Sequence, residues 1–195
     1  TISGQRLRRE LQLVFEEAEP LAILARLGNL GVSGALYPPL DCGRAWKRES
    51  TRLRGDLANL MPLHCLAWLA YPLSPAEAEG FIARLNMPNP WASVVRDVVS
   101  ARLAMPALTG GLSPTVAHGR LKGLSLVALQ VAIAIEQWGR IRQYMKKYLD
   151  EWRNVSPLLT GRHLVRQGVP QGPHVGRLLE TLLEARLEGR VATRA

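Results

Sequence analysis

Acidic side chains are scarce in this chain, and their scarcity excludes a class of chemistry. Only four aspartates occur among 195 residues, Asp41, Asp56, Asp97 and Asp150, each isolated, with no Asp-x-Asp pair. Metal-dependent nucleotidyl or phosphoryl transfer needs closely spaced carboxylates to hold its cations. The chain is therefore not expected to carry that chemistry itself. It also lacks a Gly-x-x-x-x-Gly-Lys-Ser/Thr loop, a Gly-x-Ser-x-Gly elbow and a His-Glu-x-x-His helix. None of its four histidines is followed by Asp, which excludes a His-Asp phosphohydrolase pair. Cysteine is limited to Cys42 and Cys65, far apart and without partners at metal-ligand spacing. They are expected to be reduced core residues of a cytoplasmic protein. The most apolar run, 124–135, is too short to cross a bilayer and contains Gln130, so it is expected to form a buried helix. No stretch alternates with a period of two, and no repeat of fixed period is present. Low complexity is confined to a polar end after Gly189. There is no signal peptide, and Thr1 in place of a starting Met suggests a piece of a longer chain.

Positive charge is what the chain has in excess. Lys and Arg number 25 against 16 Asp and Glu, for a net charge of +9. Hydrophobic residues at 47% and charged residues at 21% are ordinary for a globular protein. The charge imbalance favours a polyanionic partner. A membrane-surface role would need a long basic amphipathic helix, and none stands out.

The excess is sharpest near the C-terminus, where no Asp or Glu occurs from 152 to 179. There Thr160 is a candidate N-cap for a short helix with Leu164 and Val165 facing inward. Gly168 supplies a left-handed residue to end it, and Pro170 forbids its continuation. Gly172-Pro173 then opens a second helix with proline at its first position. Such a helix start presents free N–H groups and a positive dipole, which suits a phosphate. Arg153, Arg162, Arg166 and Arg177 stand around it. A nucleic-acid backbone clamp fits these residues, and so does a helical hairpin whose arginines are merely solvated.

Earlier parts of the chain read as helices punctuated by Ser, Pro and Gly. Ser3 caps a first helix with Leu7, Leu11, Val14 and Phe15 on one face, surrounded by Arg6, Arg8 and Arg9. A second begins at Glu19-Pro20 and runs to Gly28, and 30–40 reads as a loop with apolar anchors. The basic run 44–54 carries Trp46, and either a solvated helix face or a base-stacking aromatic fits it. Met61-Pro62 breaks that helix. His64, in the apolar run that follows, reads as a hydrogen-bonded core histidine. Ser74-Pro75-Ala76-Glu77 is a capping box. Asn89-Pro90 opens a helix with Trp91, Val94, Val95, Val98 and Val99 inward. A Gly110-Gly111 loop precedes a further start at Ser113-Pro114, and His118, Arg120 and Lys122 form a small positive cluster. Residues 126–135 are expected to be deeply buried. The amphipathic stretch 138–153 keeps Arg140, Arg142, Lys146 and Lys147 outside, with Tyr144, Tyr148 and Trp152 as a core stripe.

One resemblance covers practically all 195 residues and is carried most clearly at the two ends. Leu159-Thr160-Gly161-Arg162-His163-Leu164, then Gly168-Val169-Pro170 and Gly172-Pro173-His174-Val175-Gly176-Arg177-Leu178-Leu179, resembles the C-terminal tail of the bacterial tRNA nucleotidyltransferase and poly(A) polymerase family. His163 stands where the family usually carries Asp, and Gln171 sits between Pro170 and Gly172, a spacing seen in part of the family. Residues 3–11 resemble the family's neck helix, with Gln5 in place of Glu, and 113–123 also look like it. The likeness is strong at the ends and thin between 41 and 109.

That resemblance implies an all-α, elongated multi-helix array with essentially no β-sheet: neck-like helices over 1–40, a helical body over 41–153, and a tail with the helix-turn-helix clamp over 154–195. It implies the RNA-binding part of a CCA- or A-adding enzyme or poly(A) polymerase, gripping the acceptor arm of tRNA or other structured RNA. The implied RNA contacts are Arg153, Arg162, Arg166, Gly168, Gly172, Arg177, Arg120 and Lys122, while Arg6 and Glu10 would fix neck to head. Catalysis, with Mg and a nucleoside triphosphate, would belong to an N-terminal head of the same polypeptide. Two other readings fit the residues, a helix-hairpin-helix DNA-binding module and a non-catalytic helical scaffold.

Overall fold

Caps rather than long propensity runs set the helix boundaries in the computed structural model, which describes residues 2–40, 53, 55, 57, 60–108, 113–136 and 139–191. The expectations for Asp41, Cys42, the basic run with Trp46, Arg54, Asp56, the Gly110-Gly111 loop and Trp138 lie outside the described residues. Among the described residues there are eleven α-helices and no strand, as the lack of period-two alternation led us to expect. No helix among them is long and apolar enough to cross a membrane. Contacts group the chain into two compact units, 1–105 with 123–139, and 106–122 with 140–195.

The first unit starts with α1 (Gly4–Glu16), capped by Ser3, whose hydroxyl accepts the Arg6 N–H at 3.3 Å. Leu11 and Phe15 are the buried residues of its face. Gly4 is required, because a Cβ there would run into the carbonyl of Arg84. Arg8 is not simply solvated: its guanidinium donates to the carbonyls of Leu85 and Asn86. It thereby closes the C-terminal end of the helix that finishes at Arg84.

Helix α2 (Pro20–Asn29) follows with proline at its first position. The stretch expected as a loop contains α3 (Val32–Leu36) and a 3₁₀ turn at Pro38–Leu40. Left-handed Gly31 (φ 71°) starts α3, and Ser33 and Leu40 are buried. A five-residue helix is too short to show a period in sequence.

Helix α4 (Pro62–Ala70) forms the centre of this unit. Every residue from His64 to Ala70 is buried, as befits a helix that is apolar all round. His64 Nδ1 accepts the Met61 N–H at 3.0 Å, and Nε2 lies 3.0 Å from Gln130 Oε1. One neutral tautomer satisfies both bonds, so the core histidine is paired as expected. Helix α5 (Pro75–Arg84) carries the predicted capping box, with Ser74 and Glu77 bonding reciprocally at 2.7 and 3.3 Å. Hydrogen bonds from the Ser74 backbone and side chain to the Glu77 carboxylate hold it below its usual range.

Helix α6 (Asn89–Ala104) buries Val94, Val95, Val98 and Val99 against α4 and α5. The order continues with α7 (Pro114–Leu121), which belongs to the second unit, and α8 (Leu126–Ile135), which returns to the first. Asp97 Oδ2 accepts the Ser125 N–H at 2.9 Å, so this isolated aspartate anchors the start of α8. Helix α8 packs on α4 and α6, and Val131 and Ala134 are fully buried. Its first residue departs from expectation: Leu126 is 47% exposed, because it opens the helix at the surface.

In the second unit, α9 (Gly139–Asp150) ends before the aromatic stripe does, and a 3₁₀ turn at Trp152–Asn154 completes it. Tyr148 and Trp152 are buried, and the Tyr144 and Trp152 rings lie 6.0 Å apart. The stripe is core. Two further helices, α10 (Gly161–Arg166) and α11 (Pro173–Leu187), pack on each other. Glu188 accepts the Thr115 hydroxyl at 2.8 Å, joining the end of α11 to the start of α7. Arg186 donates to the Ser156 carbonyl at 2.5 Å.

Candidate nucleic-acid interface

The hairpin of α10 and α11 is built from three local devices. Thr160 is the N-cap of α10, and His163, three residues on, accepts the Thr160 backbone N–H on Nδ1 at 3.2 Å. Thus His163 does the capping work that a Glu or Gln side chain does at the third position of a capping box. Gly168, at φ 93°, ends the helix with two bonds, Gly168 N–H to Val165 O at 3.0 Å and Val169 N–H to Leu164 O at 3.1 Å. This pair of bonds is a Schellman closure. Gly172 then adopts φ 150° and ψ −165°, a region essentially reserved for glycine, and Pro173 opens α11. No side chain caps that first turn, and no acid lies in it. The positive end of α11 is therefore not neutralised by any side chain of its own first turn.

An open groove of about 610 Å³ runs between the two helices. Arg162, Arg166 and Gly172 line it, with Val165, Val175 and Leu179. The helices approach closely at Gly161, where an added Cβ would meet Val175 Cγ1 at 3.2 Å. Val165 was expected to face inward. It is 41% exposed, because the six-residue α10 turns only one face, that of Leu164, to the core.

Arg162 and Arg166 are exposed, and among the described residues neither makes an ion pair. Arg177 is also exposed, and its Nη2 lies 2.6 Å from His174 Nδ1. The contact joins Arg177 to a neighbour on its own helix rather than to an acid. Neither His163 nor His174 stands out in sequence as a site residue. Their only signal is the spacing of three, Thr160 to His163 and His174 to Arg177, which lets partners meet on one helix face.

Arg177 does not itself line the groove, and neither do the remaining expected contacts. Gly168 is exposed at the end of α10, and Arg120 and Lys122 are exposed at the end of α7. Arg153 is half-buried in the 3₁₀ turn that packs on α7, with Nη1 buried and unbonded. Burial, and secondarily the Lys122 charge, push the His118 pKa down. Burial raises the Tyr148 pKa, partly offset by Arg153. In the first unit, Arg6 and Glu10 are both exposed on α1. No group of three or more potential metal ligands occurs among the described residues. The groove can bind anions and flat or apolar groups; it has no acid or nucleophile for chemistry.

No family model matches the chain. It is 25% identical over 210 residues to the A-adding tRNA nucleotidyltransferase of Geobacter sulfurreducens, covering 99% of this chain and 24% of that protein. Its fold is similar to that of the Thermotoga maritima CCA-adding enzyme complexed with tRNA(CCA). There the TM-score is 0.74 at 21% identity, over 100% of this chain and 49% of that one. A CCA-adding enzyme in complex with ATP gives a TM-score of 0.74 at 19% identity, over 99% of this chain and 49% of the other. That coverage agrees with the resemblance read in the sequence, which spans practically the whole chain. The chain spans about a quarter of the curated relative's length and about half that of the solved structures.

Proposed function

We propose that this chain is the RNA-binding helical portion of a tRNA nucleotidyltransferase or poly(A) polymerase, holding a tRNA acceptor arm by its phosphates. The observation that carries the reading is the likeness to an A-adding tRNA nucleotidyltransferase over 99% of the chain. The groove supports it: an unneutralised arginine edge beside an uncapped helix start suits a phosphate backbone. Readout by backbone and shape is what A-form RNA demands, since its deep groove hides the bases from side chains. The fold neighbour complexed with tRNA adds to the same reading. Nucleotide addition would fall to an N-terminal head, using paired carboxylates, Mg and a nucleoside triphosphate, with Arg6 and Glu10 at the neck contact. Arg120, Lys122 and Arg153 would extend the phosphate track beyond the groove.

The test is a titration of tRNA, and of duplex DNA of equal charge, at several salt concentrations. Three phosphate contacts, one for each of Arg162, Arg166 and Arg177, predict that tRNA affinity falls at least about 40-fold between 50 and 200 mM salt, and more steeply if Arg120, Lys122 and Arg153 add to them. The DNA should bind more weakly throughout. An affinity flat across that range removes the electrostatic grip, and a preference for DNA favours a helix-hairpin-helix module instead.

A further inference from the structure

The first unit holds a cavity of its own. It lies among α1, α2, α3 and the Pro38–Leu40 turn, encloses about 220 Å³ and is open on one side. Its walls are aliphatic, with Leu11, Val14, Leu24, Leu36 and Leu69 among them. Two polar side chains lie on the lining, the exposed Glu10 and the buried Ser33. Ser33 lines the cavity, is only 5% exposed, and its hydroxyl has no hydrogen-bond partner.

Both features are unusual in a finished core. Close-packed interiors contain few voids larger than a water molecule, and a buried hydroxyl without a partner is destabilising. An apolar cavity of about 150 Å³ is enough to take up benzene. The cavity here is somewhat larger and adds a hydroxyl.

We propose that this chamber binds a compact, neutral, apolar molecule of about one ring, carrying a single hydroxyl or carbonyl that pairs with Ser33 Oγ. The aliphatic walls supply the affinity and the serine supplies the orientation. Nothing in this assignment depends on RNA binding.

Phenol and toluene are suitable probes, titrated calorimetrically into the full 195-residue chain. Both should bind saturably. Ser33→Ala should weaken phenol about 5-fold, the size of one neutral hydrogen bond, and leave toluene unchanged or slightly tighter. Val14→Phe, which fills the chamber from its half-buried edge, should abolish both while leaving the circular-dichroism spectrum intact. The proposal is overturned if neither probe saturates the wild-type chain, or if Ser33→Ala leaves phenol affinity unaltered. A dimer that excludes the probes would overturn it too, by showing that a second copy covers the chamber. tRNA titrations of the same samples keep the two claims apart, since Ser33→Ala should bind tRNA as the wild type does.

Discussion

Replacing Arg162 and Arg177 together by alanine is expected to weaken tRNA binding about 30-fold at low salt, taking roughly 1 kcal/mol for each exposed phosphate contact. The slope of log affinity against log salt should flatten by about two, because two fewer counterions are released. Both side chains are exposed and neither is part of a core, so the melting temperature should stay within a degree or two. That separation matters, because a loss of binding that comes from unfolding would erase the salt dependence with the affinity. Lysine at the same positions should recover part of the binding. It keeps the charge but loses the planar fork that matches a phosphate. If the double variant binds as well as the wild type, the grip lies elsewhere, with Arg52 and Arg54 the next candidates.

Trp68→Ala should be the most damaging single change to stability. The indole is fully buried at the middle of α4, which packs on α1, α6 and α8. Truncating a buried tryptophan costs about 3–5 kcal/mol, from lost transfer energy and the cavity left behind. Against a total stability of about 5–15 kcal/mol, that leaves the first unit close to its threshold. For a domain of this size the melting temperature should fall by about 12 °C. The same change at Trp91, which is only half-buried against Phe15 at a centroid distance of 5.9 Å, should cost clearly less. A Trp68→Ala variant that melts within about 3 °C of the wild type would show that α4 is not the centre of its unit.

What could be read from the residues follows the range of the forces involved. Ser3, the Ser74 and Glu77 box, Ser113-Pro114 and Gly172-Pro173 act within three or four positions, and all lie where the caps were expected. The valines of α6 announce their buried face by spacing alone. Helix α3 was not legible, since five residues are too few to show a period and the burial of Ser33 depends on tertiary packing. Arg8 looked like one more solvated cation, and only the approach of Leu85 and Asn86, 77 and 78 positions away, makes it a helix closure. At the groove, the glycines and arginines were visible. The apolar floor was not, because Val165 is exposed by the shortness of α10 and not by any polarity of its own. Histidine as a cap escaped notice twice, at His64 and His163, although each sits three residues after the backbone N–H it accepts.

Phosphate-ethylation interference on tRNA bound to the 195-residue chain tests the central claim most directly. Ethylation at a short contiguous set of phosphates in the acceptor arm should block binding, and Arg162→Ala should make some of those positions indifferent. Interference confined to the anticodon arm, or spread evenly over the molecule, would contradict an arginine-lined groove that holds the acceptor arm by its backbone.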